Sequence, residues 1–244
     1  MQIMTFNIRI DLPIDKEYAF KHRIDGIKMF LSETNPEMIG FQETSLAMLQ
    51  VLERTLTNYH YVGEARDING EYNPIFIKRS YPIHHTQTHW YSNEPRKKQK
   101  GAMFPRIFTT LETTVNHTTI EIINTHFSHV SDAAKTESLE TLKTYISSKQ
   151  HPIILLGDFN ANPHVVNPFL DDIMHSCWET YREKHKLTAH GFNDKVSGDP
   201  IDYIWTTKDL EISHTKIHRD KYNNTYISDH YPVSATVKTK KTIQ

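Results

Sequence analysis

Cysteine is almost absent. Of 244 residues only Cys177 carries a thiol, which excludes an intramolecular disulfide framework and a structural zinc site built on several thiolates. Excess charge of one sign is missing too. The 28 Lys and Arg against 29 Asp and Glu give a formal net charge of -1, so no global positive field draws the chain to nucleic acid, and any phosphate affinity must be local. No window approaches the roughly 18 apolar residues of a membrane-spanning helix, and the opening MQIMTFNIRI lacks a basic stretch leading into an apolar run and a small-residue cleavage site. A cytoplasmic protein with no membrane partner is the expectation. Repeats, low-complexity tracts and linkers are also lacking, so 1–244 is expected to form one domain, long but within the range of α/β domains. Sixteen histidines are present, yet they are scattered without the helical ligand spacing of a zinc protein.

What is present is a sequence of short periodic segments. Ile3, Thr5 and Asn7 alternate with Met4, Phe6 and Ile8, which predicts a strand over 2–10 with one apolar face. Phe20, Ile24, Ile27 and Leu31 recur at helical spacing, and Asn35-Pro36 closes that helix before a strand at 38–41. Leu46, Leu49, Leu52 and Leu56 mark a second helix, capped by Thr44 or Ser45. Strands follow at 59–63, 74–78 and 83–90, then a hairpin of 106–115 and 119–127 turning at Asn116-His117. A third helix carries Leu139, Leu142 and Ile146; after the apolar run at 153–156 come short irregular helices and strands at 201–206, 211–217 and 231–237. Hairpins mixed with helices argue an α/β sandwich of mixed sheets rather than a repeating βαβ wheel. Two long non-periodic stretches, 65–73 and 92–103 with its run RKKQKG, are either functional loops or solvated surface.

Polar residues gather at the ends of apolar runs. In IILLGDFNANP, residues 153–163, the continuous apolar run reads as a strand buried on both faces. Asp158 and Asn160, two apart, would point the same way in an extended chain while Phe159 turns to the core. An ordinary Asx turn would use the same residues. Asn7 ends the first apolar strand, Glu43 follows MIGFQ, His126 follows IEIIN, Asp202 opens DYIW and Asp229-His230 precede YPVSATV. Each alone reads as a cap or turn. Brought to one end of a sandwich, however, such carboxylates repel unless a cation or a shared proton compensates, and a hard divalent ion is the natural compensator.

Seven motifs then stand in order along nearly the whole chain: TFNIR at 5–9, FQET at 41–44, NPIF at 73–76, NTHFSH at 124–129, GDFNA at 157–161, DYIW at 202–205 and SDHYPV at 228–233. Together they resemble the endonuclease/exonuclease/phosphatase superfamily, the DNase I-like fold. The resemblance implies a four-layered α/β sandwich, two sheets face to face with helices outside, that hydrolyses phosphoesters with Mg²⁺ or Mn²⁺.

By the same resemblance Glu43 is the main metal carboxylate, with Asn7 and Asp229 completing its neighbourhood directly or through water. His230, steered by Asp202, activates the attacking water or stabilises charge on the phosphoryl group. Asp158 orients water or handles a proton, and Asn160 donates to a phosphoryl oxygen. His126 resembles a second histidine of the deoxyribonuclease and deadenylase branches, with Glu71 as its partner at the cleft mouth, and Arg106 matches a phosphate-gripping arginine. EYNPIF stands where abasic-site endonucleases show a Y-N-G element, a departure that weighs against abasic-site cleavage. The expected function is a phosphodiesterase or nuclease, with a small-molecule phosphomonoesterase or a non-catalytic phosphoester-binding module as alternatives. The expected partner is the phosphoester itself, either nucleic acid or a small mono- or diester.

Overall fold

The computed structural model describes residues 1–240; residues 241–244 of the expected domain lie outside that range. The chain runs β1 (Gln2–Asn7), a short 3-10 helix (Pro13–Tyr18), α1 (Phe20–Thr34), β2 (Met38–Gln42), α2 (Leu46–Thr55), β3 (Tyr59–Val62), β4 (Ile75–Lys78), β5 (His85–Trp90), β6 (Ile107–Val115) and β7 (Thr118–His126). It continues through α3 (Asp132–Ser147), β8 (Ile153–Asp158), α4 (Pro163–Leu170), β9 (Met174–Ser176), α5 (Cys177–Thr180), β10 (Asp202–Thr207), β11 (Leu210–Ile217) and β12 (Val233–Thr239). Two six-stranded sheets result, ordered β11-β12-β1-β2-β4-β3 and β5-β6-β7-β8-β10-β9. Both are mixed, with β1 parallel to β2 and β7 parallel to β8.

The alternation in β1 decides its two neighbours. Met4, Phe6 and Ile8 pack with Phe20, Ile27 and Phe30 of α1 and with Met48, Leu49 and Leu52 of α2, so those helices cover one outer face. Ile3 points the other way, into a core shared with Leu156, Ile122 and Ile123 of the second sheet. Leu139, Leu142 and Ile146 of α3 pack onto that same core. The outcome is the expected four-layered sandwich, of the DNase I-like type. All of β8 is buried, as its unbroken apolar run requires. Gly40 of β2 marks how closely the sheets meet: a Cβ there would lie 1.9 Å from Leu156 Cδ1. Beside it Gln42 Nε2 donates to Asn124 Oδ1 at 2.7 Å, and Asn124 Nδ2 donates to the carbonyls of Phe41 at 2.8 Å and Pro74 at 3.0 Å. This satisfied polar link between the sheets fixes their relative position where an apolar contact would allow sliding.

Differences from the sequence reading are local. The last strand begins at Val233 rather than at residue 231, because 229–232 form an irregular turn. β9 is only three residues long and the 3-10 helix has no buried residue, so neither shows a periodic signal. His85 and His89 are four apart but lie on strand β5, where four residues do not make a helical ligand pair. No helix among the described residues is long and apolar enough to cross a membrane.

Candidate active site

Strand register assembles the polar cluster. His126 pairs with Asp158 across the parallel β7–β8 ladder, and Asp158 pairs with Asp202 across the antiparallel β8–β10 ladder. Three residues distant in sequence therefore stand side by side. From the facing sheet, Asn7 Nδ2 donates to Asp158 Oδ2 at 2.9 Å and to Glu43 Oε1 at 3.1 Å, joining the two sheets at this end. His230 arrives on the turn before β12; its Nδ1 lies 2.9 Å from Asp202 Oδ2, and its Nε2 lies 3.9 Å from Asp158 Oδ2. Ligand-type atoms of Asp158, Asp202 and His230 all fall within 4.8 Å of one another.

The electrostatics assigns different states to these groups. Burial, then the neighbouring Asp202, pushes the Asp158 carboxyl up to about 7, against the pull of His230 and of hydrogen bonds from Asn7 and Asn160. Burial opposes charge on His230, but Asp202, Asp158 and Asp229 outweigh it and hold the imidazole well above its usual pKa, so it is a cation at neutral pH. His126 is the converse. Burial, then Arg106 and Arg66, drives it well below the usual range and keeps it neutral. Asn160 Nδ2 donates to its Nε2 at 3.1 Å, which places the ring proton on Nδ1, a buried atom with no partner.

The turn after β8 meets both readings of IILLGDFNANP. The Asn160 amide N–H donates to Asp158 Oδ1 at 2.8 Å, an Asx turn, with Asn160 left-handed at φ 47. The segment is therefore not extended, and the turn rather than strand alternation brings both side chains to His126. Phe159 is fully buried, as expected. Both hydrogen-bonding directions of the Asn160 amide nitrogen are used on this protein, one by His126 and one by the Phe127 carbonyl at 3.2 Å.

Glu43 also has a left-handed backbone, φ 59, in a residue type with no special tolerance for it; such a conformation costs about 1–3 kcal/mol. Hydrogen bonds between Thr44 and Tyr72 hold the chain on its C-terminal side. The half-buried Glu43 carboxylate accepts from Asn7 through Oε1 and from the Ile10 N–H at 3.0 Å through Oε2. Asp229 faces Arg9 at 3.7 Å, and burial with the nearby Glu43 raises its carboxyl despite His230 and Arg9. Asn7 turns its amide nitrogen to the carboxylates, while its oxygen accepts from the Arg9 N–H at 3.0 Å. The donor set around Glu43 and Asp229 is thus oxygen-rich. The carboxyls of Asp158 and Asp229 are raised chiefly by burial, with a neighbouring acid adding to it, and Asp202 Oδ1 has no partner. That is the chemistry a hard divalent ion fits.

Glu71 and Arg106 lie at the same end but not as a surface ion pair. Glu71 takes Arg66 as its partner, at 2.9 Å, and His126 Nδ1 stands 4.0 Å away, beyond hydrogen-bond reach. Arg106 is 4% exposed, donates through Nη2 to His129 Nδ1 at 3.2 Å, and leaves its Nε without a partner. Arg9, Arg66 and His129 are neighbours that sequence reasoning did not single out. Arg9 and His129 sit inside the motifs TFNIR and NTHFSH; nothing in the sequence around Arg66 marks it. A cavity of about 540 Å³ beside Glu137, Thr141 and Tyr145 of α3 is separate from this cluster and gathers no comparable set of acids and bases.

The model of the Endonuclease/Exonuclease/phosphatase family matches residues 4–230, which spans every residue of this cluster. The chain belongs to that family. Solved structures with the family's fold superpose on nearly all of it. The Bacteroides thetaiotaomicron mannosyl-6-phosphatase Bt3783 is 23% identical, with a TM-score of 0.89 over 98% of this chain and 99% of that one. An endonuclease/exonuclease/phosphatase from Bacteroides vulgatus is 24% identical, with a TM-score of 0.90 over 98% of each. D. rerio TDP2, solved with a single strand DNA product, is 17% identical, with a TM-score of 0.81 over 98% of this chain and 99% of that one. At these identities the likeness is one of fold. A search of curated proteins gives no significant match.

Proposed function

We propose that this family member, acting as one domain over 1–244, is a divalent-metal-dependent phosphoester hydrolase of the phosphodiesterase or nuclease type. The observation that carries the reading is the division of labour at the strand ends: a carboxyl raised to about 7 at Asp158 beside an Asp202-held cationic His230. A group titrating near 7 is suited to take a proton from attacking water, and a fixed cation is suited to the charge that builds on the phosphoryl oxygens. Asp202 holds the imidazole in one tautomer and orientation. Glu43 and Asp229 would hold Mg²⁺ or Mn²⁺, with Asn7 contributing through water or after rotation of its amide. A bound ion would supply Lewis-acid stabilisation of the phosphoryl oxygens. Neutral His126, oriented by Asn160, would donate its Nδ1–H to a phosphoryl oxygen only once that buried atom is uncovered; Asn160 itself joins that contact only by releasing one of its present acceptors.

A second reading, a phosphomonoesterase, is favoured by the buried Arg66 and Arg106 set against the single carboxylate of Glu71, since that excess of positive charge suits a dianionic terminal phosphate. Likeness to a mannosyl-6-phosphatase and to TDP2 supports both readings. The test is a hydrolysis screen of bis-aryl and mono-aryl phosphates, sugar phosphates, and single- and double-stranded oligonucleotides, with Mg²⁺, Mn²⁺ or EDTA. Turnover of diesters supports the first reading and of monoesters alone the second; release of neither under any metal refutes both.

A further inference from the structure

The ladder between β1 and β12 stops short of the polar cluster. Its last pair is Thr5 with Val233, yet Asn7, Asp229 and His230 all lie beyond that pair, where the two segments no longer exchange ladder hydrogen bonds. Each is held from its far side. Asn7 stays paired with Gln42 of β2, and the Asp229 carbonyl accepts from the N–H groups of His190 at 2.8 Å and Gly191 at 3.0 Å. Much of what fixes the two segments against each other comes from a third element.

Arg23 stands near the N-terminus of α1, where the helix dipole disfavours a cation, and it is 1% exposed. Its hydrogen bonds all go to backbone carbonyls, none to a carboxylate. Nη1 donates to Ile8 at 2.7 Å and to Ile227 at 2.8 Å, Nη2 to Arg9 at 2.9 Å, and Nε to Tyr18 at 2.6 Å. One nitrogen therefore bridges the residue after Asn7 and the residue two before Asp229. Ser228 adds a neighbouring tie, its hydroxyl donating to the Asn7 carbonyl at 2.6 Å. The rings of Phe20 and Phe192 flank the guanidinium, 5.8 and 5.9 Å from its carbon. Burial lowers Arg23 to about 10, with Asp229 the largest of the charges opposing the shift, so it stays a cation at neutral pH. Burying a cation without a carboxylate partner is costly, and α1 needs no charge here to pack. Joining several carbonyls at fixed spacing does need a planar fork of donors. Arg9 is left-handed at φ 58, a conformation a non-glycine residue keeps only where contacts fix it, and the bond from Arg23 to its carbonyl is such a contact.

We propose that Arg23 is a positioning residue: its guanidinium sets the spacing between segments 7–9 and 227–230, and with it the approach of Asn7 to Asp229 and His230. The consequence for turnover rests on the hydrolase reading above; the spacing itself does not. A lysine in its place keeps the charge but gathers its donors on one nitrogen, which cannot span the carbonyls of Ile8, Arg9, Tyr18 and Ile227 together. A glutamine loses the charge as well.

Arg23→Lys and Arg23→Gln, made in the full chain, test the proposal. In the ion-free protein, amide hydrogen exchange read by mass spectrometry should quicken by about tenfold or more in 7–10 and 226–231 while β8 keeps its wild-type protection. At a temperature where the variants are folded, kcat should fall by about tenfold or more with KM changed less than about twofold, and Mn²⁺ affinity measured by calorimetry should weaken by about tenfold. Arg23→Gln should be the more severe in each. A merely structural role would lower the melting temperature and quicken exchange throughout, leaving kcat and Mn²⁺ affinity of the folded fraction as in wild type. Uniform quickening, wild-type exchange in both segments, or wild-type kcat and Mn²⁺ affinity in a folded variant overturns the proposal. Failure of both variants to fold does so too, since Arg23 would then serve folding. Should wild type hydrolyse no ester, exchange and Mn²⁺ binding still decide the role of Arg23, and only the hydrolase reading falls.

Discussion

His230 and Asp202 are twenty-eight residues apart in sequence and 2.9 Å apart in space. A positioned acid, base or charge is worth about 10² to 10⁴ in rate, so His230→Ala should lower kcat/KM by that much. Asp202→Asn should cost a large part of it, because an amide neither holds the tautomer nor stabilises the imidazolium. The double variant should fall far short of the product of the two losses, since groups that work as a unit are non-additive. Purely multiplicative losses in correctly folded variants would show two independent residues. The pH dependence belongs to Asp158. With its carboxyl raised to about 7, the proton-accepting form grows as pH rises through that value, and kcat/KM should climb to a plateau there and fall again only when His230 loses its proton. The stability effect has the opposite direction: the folded carboxyl holds its proton from the ordinary value of 3.8 up to about 7 while the unfolded one has lost it, so this group's contribution to stability declines as pH rises through that window. Asp158→Asn should remove that slope from melting temperature against pH; an unchanged slope would place the titration elsewhere.

At the scale of elements, the ends of strands were legible and their neighbours were not. Each of Asn7, Glu43, His126, Asp158 and Asp202 terminates or opens an apolar run, a pattern that period and turn chemistry display directly. That His126, Asp158 and Asp202 share one register row depends on the order β7-β8-β10, a set of long-range pairings with no local trace. Arg66 escaped notice for the same reason, since its role comes from Glu71, Phe104 and the Trp90 side chain that donates to its carbonyl. The pairing of Glu71 with His126 came from resemblance, and the nearer guanidinium displaced it. Between elements the narrowest tolerance is at Gly40. Gly40→Ala would drive a Cβ into Leu156 at 1.9 Å and against Asn124 at 2.8 Å, so overpacking should cost about 1–3 kcal/mol or more and lower the melting temperature by several degrees. An alanine variant as stable as wild type would mean that the sheets separate more easily than this contact implies.

For the whole molecule, a net charge of -1 conceals a strong local arrangement: acids converge at one end between two sheets, with Arg9, Arg66 and Arg106 around them. The four-layered fold followed from the motif order, and the family model covers the same stretch. The central claim is that this end hydrolyses phosphoesters with a divalent ion held by Glu43. Its most direct test is the steady-state hydrolysis rate of wild type and Glu43→Gln across a Mg²⁺ titration that starts in EDTA. The account predicts no turnover in EDTA, recovery of wild type with Mg²⁺, and for Glu43→Gln a curve displaced by at least about tenfold in ion concentration with a lower maximum. Turnover that persists in EDTA, or a Glu43→Gln curve that coincides with that of wild type, would contradict it.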